Sequence, residues 1–409
     1  TYKLNNYPVF KAKDFPEIGD KDIVFRWQGY NPSNELETFL KVNRAKNFKE
    51  FHTAFESYGV AGMTFVYGDK QGNVGKVVAT AQPQVAKLKV YYEPADFLTE
   101  PILNSLTLPM EYNPESQFVV SANDYYKGLR QPLSLFQAPN DRKDRMSFLI
   151  KNKSQFNLED VKDLHKDVFS STAFDLKNDL VKFLMQKNWV QNSDQNYLKI
   201  LDSWSGSYDV DSKGALFFEI FLAAWSEDII KNLVLRDLES YKLKDKAFDF
   251  LTKNFNYRGF LSRSLTETSF MDEAKFKLYF ERTKFIFAKY ENWGEFHRMD
   301  LRHPLGNLKL FKFNYSFFDE PWAGGNETLM KAAHKISTQT AKVSFGAQAR
   351  WMTDMSSMNE NYLVYLGGQD GFIGSDNIND LTAKWVSGDY LRIPFDRDEF
   401  KTMSATMGQ

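Results

Sequence analysis

The hydrophobic period of this chain changes twice, and that order limits its fold more than any single motif. Up to about residue 140 the apolar residues mostly alternate in short runs broken by turn pairs, the spacing of β-strands. From about Asp141 to residue 292 they recur at three- and four-residue intervals, the spacing of helices. After His303-Pro304-Leu305-Gly306 alternation returns, with Phe311, Phe313, Tyr315 and Phe317 interleaved with Lys312, Asn314 and Ser316. Strands, then helices, then strands is the order of an α+β chain whose two β regions share one layered core. It divides the chain into residues 1–140, 141–305 and 306–409. With 43% hydrophobic and 16% aromatic residues over 409 positions, material for a packed core is ample.

Within the first segment, residues 22–27 read as a strand and Asn31-Pro32-Ser33 as a turn. Residues 35–44 read as a helix with Leu36, Phe39 and Leu40 on one face. Asn47, with Glu50 three positions on and Gly59 at the far end, marks a second helix that buries Phe51, Phe55 and Tyr58. Strands over 63–67 and 74–81 flank the loop Asp69-Lys70-Gln71-Gly72-Asn73, and 87–92 is a candidate strand. Further on, Asn157 caps a long helix running to Met185, followed by helices over 213–238 and 271–290. Strands over 343–351 and 362–366, a helix over 380–386 and a closing segment 390–395 complete the reading.

The stretch over 113–124 has its own chemistry. Asn113-Pro114 opens a turn, Phe118 to Val120 form a short apolar strand, and Asn123 stands at the strand end. A carboxamide held there donates to a developing oxyanion, or else caps the next turn, as asparagine often does.

Other chemistries find little support. The 52 basic and 53 acidic residues leave a net charge of −1, without the basic excess of a nucleic-acid binder. There is no cysteine, which removes thiolate catalysis, thiolate metal sites and disulfides. The best apolar run, residues 216–225, contains Glu219 and falls well short of the roughly twenty residues of a membrane span. No Gly-x-Ser-x-Gly elbow, P-loop, His-Glu-x-x-His or dinucleotide fingerprint occurs. Asp209-Val210-Asp211-Ser212-Lys213-Gly214 opens like a calcium loop, but Lys213 stands where an oxygen ligand belongs and Glu219 comes one position early. His297, Asp300 and His303 either approach a metal or mark a helix end running into the His-Pro turn. His165 and Asp167 do not share a helix face. Thr1 is either a nucleophile with its own α-amine as base or the middle of a strand, Thr1-Tyr2-Lys3-Leu4. With no initiator methionine and no signal pattern, the expectation is a mature product or a piece of a longer precursor.

Taken together, several stretches resemble the penicillin acylase family of N-terminal-nucleophile (Ntn) hydrolases, in the later part of its β subunit. They are Phe25-Arg26-Trp27 with Asn31-Pro32-Ser33-Asn34-Glu35-Leu36; Leu40-Lys41-Val42-Asn43-Arg44-Ala45-Lys46-Asn47; Phe65-Val66-Tyr67-Gly68-Asp69 with Gly72-Asn73-Val74-Gly75; and Asn113-Pro114 through Ser121-Ala122-Asn123. Arg142-Lys143-Asp144-Arg145-Met146 follows, then Trp204-Ser205-Gly206, Trp293-Gly294-Glu295-Phe296-His297 and His303-Pro304-Leu305-Gly306. Gly367-Gly368-Gln369 and Gly388-Asp389-Tyr390 before Pro394-Phe395 complete the order.

The resemblance implies a four-layer αββα Ntn fold, incomplete in this chain, with a large helical insertion. Residues 1–140 would be the β-rich part of the core, 141–305 the helical region, and 306–409 the strands returning to the core. It implies hydrolysis of a linear amide of a small N-acyl substrate: a penicillin, an acyl-homoserine lactone or an N-acyl amino acid. The nucleophile would come from an upstream chain of the same autoproteolytically processed precursor, together with the α subunit, in a periplasmic or secreted heterodimer. Asn123 would be the side-chain oxyanion donor and Arg142 the cation holding it. No cofactor is required. The family's structural calcium uses an aspartate shortly after the asparagine motif; Ser134 stands near that place, which leaves a structural calcium open but without that ligand. Other departures are Asp124 beside Asn123 where a second asparagine is usual, Gln117 for glycine, Thr64 for asparagine, and Asp370 and Asp376 to Asp380 in a glycine-rich run. They keep a second expectation open, a non-catalytic relative serving as a binding or assembly component.

Overall fold

The computed structural model describes residues 2–4, 7–14, 20–84, 101–123, 140–230, 273–302, 304–310, 316–372 and 374–407. The chain separates into two compact units, Thr1–Lys143 and Asp144–Gln409. The expected strand over 87–92 lies outside the described residues, as do Thr1, Asp124, Ser134, His303 and positions 231–238, 271–272 and 311–315 of expected elements.

In the first unit, β1 (Tyr2–Leu4), β2 (Tyr7–Phe10) and β3 (Ile23–Val24) form a small antiparallel sheet. The strand expected over 22–27 is thus reduced to β3. Two helices follow, α1 (Glu35–Val42) and α2 (Phe48–Ala54), capped by the side chains of Asn34 and Asn47. Next come β4 (Met63–Gly68), β5 (Val74–Ala79), the short pair β6 (Gln82–Pro83) and β7 (Ile102–Leu103), and β8 (Met110–Tyr112). β5 is the middle strand of the antiparallel order β4-β5-β8. The β4–β5 turn closes because Asp69 Oδ1 accepts the N–H groups of Gln71 and Asn73, both at 3.0 Å, while Gly72 supplies a φ of +87°.

β5 is buried on both faces. Val77 and Ala79 pack on Phe48, Phe51, Phe55 and Tyr58. Gly75 lies on the same face, where a Cβ would come 2.3 Å from the Phe48 ring. Lys76 and Val78 alternate to the opposite face. α1 forms where it was expected; Leu36, Phe39 and Leu40 are exposed, and Thr38 is its buried residue. Phe39 still meets the Tyr58 and Phe65 rings, at 6.2 and 6.1 Å between centroids, and polar bonds add to this. Thr38 Oγ1 donates to Asn34 O at 3.0 Å, and Glu35 accepts the N–H groups of Gly59 and Val60 at 3.0 and 3.1 Å.

The second unit is built on the Lys213–Ile229 helix, whose residues Gly214 to Ser226 are all buried. A helix apolar on every side belongs at the centre of a core. The Ser171–Met185, Gln195–Ser203 and Glu273–Phe287 helices contribute to the same cluster, with Leu176, Leu180, Leu198, Phe276 and Phe280. The long helix expected over 157–185 is two helices, Leu158–Lys166 and Ser171–Met185. They break because Ser170 caps the second one and Phe169 forms a β-bridge with Ser207.

A four-stranded sheet takes the order β10-β9-β12-β11, from β9 (Arg298–Arg302), β10 (Ser316–Pro321), β11 (Ala332–His334) and β12 (Val343–Gly346). β13 (Ala349–Thr353), β14 (Asn361–Tyr365) and β15 (Leu391–Arg392) make another sheet, so the run expected over 343–351 splits between two sheets. The Asp380–Ser387 helix ends at Gly388 with φ +80° and stacks Trp385 on Trp322, ring centroids 5.2 Å apart. The chain closes in an Arg397–Met407 helix, not in the segment 390–395, because Asp396 accepts the N–H groups of Asp398 and Glu399.

Candidate active site

The segment 113–123 leaves the sheet at Asn113 and is held beyond it mainly by side chains. No strand forms over 118–120. Its start is stitched to the end of the β4–β5 turn. Asn113 N donates to Val74 O at 2.8 Å, Val74 N to Asn113 Oδ1 at 2.9 Å, and Asn113 Nδ2 to Asn73 Oδ1 at 2.8 Å. Gln117 N closes a turn on Pro114 O at 2.8 Å. Further on, the Lys76 ammonium donates to Val120 O at 3.1 Å. Val120 and Ala122 are buried, and Asn123 is exposed.

Asn113, Gln117 and Asn123 have φ of 46°, 61° and 61°, and they are the non-glycine residues with left-handed backbone among the described residues. Each such residue stores about 1 kcal/mol or more, and strain of this kind gathers where geometry serves function. The backbone therefore turns sharply at Asn123.

Arg142, at the start of the Asp141–Lys151 helix, decides how that side chain faces. Its Nη2 donates to Ala122 O at 3.0 Å and to Asn123 Oδ1 at 2.9 Å. A guanidinium has only donors, so the flipped amide would set N–H against N–H. Asn123 thus turns its carbonyl oxygen inward and its two N–H donors away from the arginine. These bonds are charge-assisted, which makes them short and strong. The two residues singled out in sequence are brought together, nineteen positions apart, with a polarity suited to an oxyanion donor. Lys76 was not singled out. Its signal in sequence is a lone cation within an otherwise apolar strand.

The other candidates go elsewhere. Arg145 forms a two-pronged pair with Asp167, 2.6 Å at the closest, and lies over the Phe169 ring at 4.4 Å. His165 meets the Tyr390 hydroxyl at 2.7 Å. His297 is fully buried, its ring nitrogens 2.7 and 3.1 Å from the carbonyl oxygens of Trp322 and Ala332, so neither is left for a metal. Asp300 faces Lys342 at 3.5 Å. The loop from Asp209 is used as a helix cap: Ser212 Oγ accepts from Ala215 N, while Val210 O and Ser212 O take the N–H groups of Gly294 and Trp293. Among the described residues no cluster of three or more His, Asp or Glu is set to hold a metal ion. Among them, too, no helix is long and apolar enough to cross a membrane.

The family model described as penicillin amidase matches residues 6–402 of this chain. Among solved structures, the thermostable penicillin G acylase from Alcaligenes faecalis, in its orthorhombic form, is similar with a TM-score of 0.56 and 14% identity. That likeness covers 90% of this chain and 71% of that one, and it concerns the fold. A comparison with curated proteins returned no match.

Proposed function

This chain belongs to the penicillin amidase family, with the mixed helix-and-sheet fold of Ntn hydrolases, and from that premise we propose that it is the part of an acylase that supplies the side-chain half of an oxyanion hole. The substrate is a linear amide of N-acyl type: a penicillin, an acyl-homoserine lactone or an N-acyl amino acid. The nucleophile is the first residue of an upstream segment of the same precursor, released by processing. Its hydroxyl attacks the amide carbonyl. Its own α-amine, with an ordinary pKa of about 8, takes the proton. The carbonyl oxygen gains the negative charge, and Asn123 Nδ2–H donates to it. Collapse expels the amine with that proton, and water then releases the acyl group. No step calls for a cofactor. Export to the periplasm or beyond is part of the same reading.

The observation that carries this is the Arg142–Asn123 contact. It commits the amide oxygen to the protein and turns the N–H groups outward. A turn-capping asparagine would use its oxygen on a nearby backbone N–H instead.

The test is Asn123→Ala in the processed complex made from the full precursor, assayed on the three substrate classes. Turnover should fall about 100- to 1,000-fold, with the complex still assembled, the usual cost of removing one oxyanion donor. Undiminished turnover would remove Asn123 from the mechanism. An intact, correctly processed complex inert on all three classes would favour a binding or assembly role.

A further inference from the structure

We propose that Lys76 is a positioning residue for Asn123, acting through the backbone of Val120; this rests on the reading of Asn123 as oxyanion donor. Lys76 lies in the middle of β5, the central strand of its sheet, and is only 2% exposed. A buried ammonium is costly unless it is paired and hydrogen-bonded. Both conditions are met: Nζ is 2.9 Å from Glu111 Oε1 on the neighbouring strand and 3.1 Å from Val120 O. The first contact follows from sheet register, because Lys76 and Glu111 are direct cross-strand partners. The second does not. It reaches across to a segment that makes no ladder with β5 and ends at Asn123.

Filling that space needs only an apolar side chain; holding a carbonyl needs a donor. The segment before Asn123 has no strand pairing to fix it, and it carries strained backbone at Gln117 and Asn123. Lys76 and Arg142 hold it at two successive points, Val120 O and Ala122 O, and Arg142 then orients the amide itself. The rigid central strand is thereby linked to the donor atom through a single backbone carbonyl three residues upstream. Glu111, being partly exposed, serves to balance the charge of Lys76.

The experiment is a double-mutant cycle in the processed complex. Lys76→Met should lower kcat about 10- to 100-fold, the scale of a misplacement of about 1 Å at a catalytic group, with KM changed by less than about twofold. In an Asn123→Ala background the same substitution should cost nothing further. Glu111→Gln keeps the Lys76–Val120 bond and should leave kcat within about threefold while lowering thermal stability. Independent, multiplicative losses from Lys76→Met and Asn123→Ala would overturn the proposal, as would full activity of Lys76→Met. Should Lys76→Met fail to fold, Lys76→Gln, which keeps a donor on a shorter stem, takes its place in the cycle.

A second arm does not depend on catalysis: hydrogen exchange at residues 120–123 should accelerate in Lys76→Met and stay unchanged in Glu111→Gln. If Asn123→Ala leaves turnover intact while this exchange still responds, the oxyanion reading has failed and the anchoring has not. Unaltered exchange in Lys76→Met overturns the anchoring itself.

Discussion

Gln117 holds a backbone conformation that its side chain opposes. Its φ of 61° is one that glycine adopts freely and glutamine does not. A turn of that hand is required there by the close of the Asn113-Pro114 turn, before the chain runs on to Asn123. Gln117→Gly should therefore raise stability by about 0.5–1 kcal/mol, read from denaturant unfolding, once the added freedom of glycine in the unfolded chain is set against the relieved strain. A loss of stability would mean that the glutamine side chain contributes more than the backbone gives up. At this scale the sequence was informative where chemistry was local or matched a motif. Asn123 and Arg142 could both be named, and their contact was the expected one. The Lys76–Val120 bond could not be named, because it joins a side chain to a backbone carbonyl forty-four positions away. The amide orientation was equally hidden until a donor-only partner appeared beside it.

At the scale of elements, the reading succeeded where a period is long and failed where the elements are short. The central Lys213–Ile229 helix and the Asp380–Ser387 helix stand where they were expected. β3 and β15 hold two residues each, too few for alternation to register in any window. The closing helix, by contrast, carried a legible signal in Asp396, a capping residue directly before a helix-forming run. α1 forms where its helical spacing placed it, and polar ties help to hold it although Leu36, Phe39 and Leu40 are exposed. One of these involves Glu35, whose carboxyl is pulled down to about 2, first by a hydrogen bond from the Ser33 side chain; burial, the next largest effect, opposes this, and the N–H groups of Val60 and Gly59 add to the lowering. Since the folded pKa lies below the ordinary 4.5, the carboxylate adds stability above about pH 4.5 and loses it as pH falls toward 2. Glu35→Gln should lower stability at pH 7 and flatten the acid side of the stability curve between those values. A curve of unchanged slope there would show that Glu35 does not tie α1 to the following loop.

For the whole molecule, the order of hydrophobic periods was enough for an α+β class, and ordered motifs were enough for the family. The division between Thr1–Lys143 and Asp144–Gln409 falls inside the continuous Asp141–Lys151 helix, close to the change of hydrophobic period at about Asp141. Arg142 thus stands at the end of the unit that carries Asn123, on the helix that continues into the next unit. The central claim is that this arrangement presents Asn123 Nδ2 to a charge developing on the substrate. It is tested most directly by a crystal structure of the processed complex with a tetrahedral transition-state mimic bound to the nucleophile. The account predicts Asn123 Nδ2 about 2.7–3.1 Å from the mimic's oxyanion, with Arg142 still on Oδ1. An oxyanion held by other donors, with the Asn123 amide turned away from it, would contradict the account.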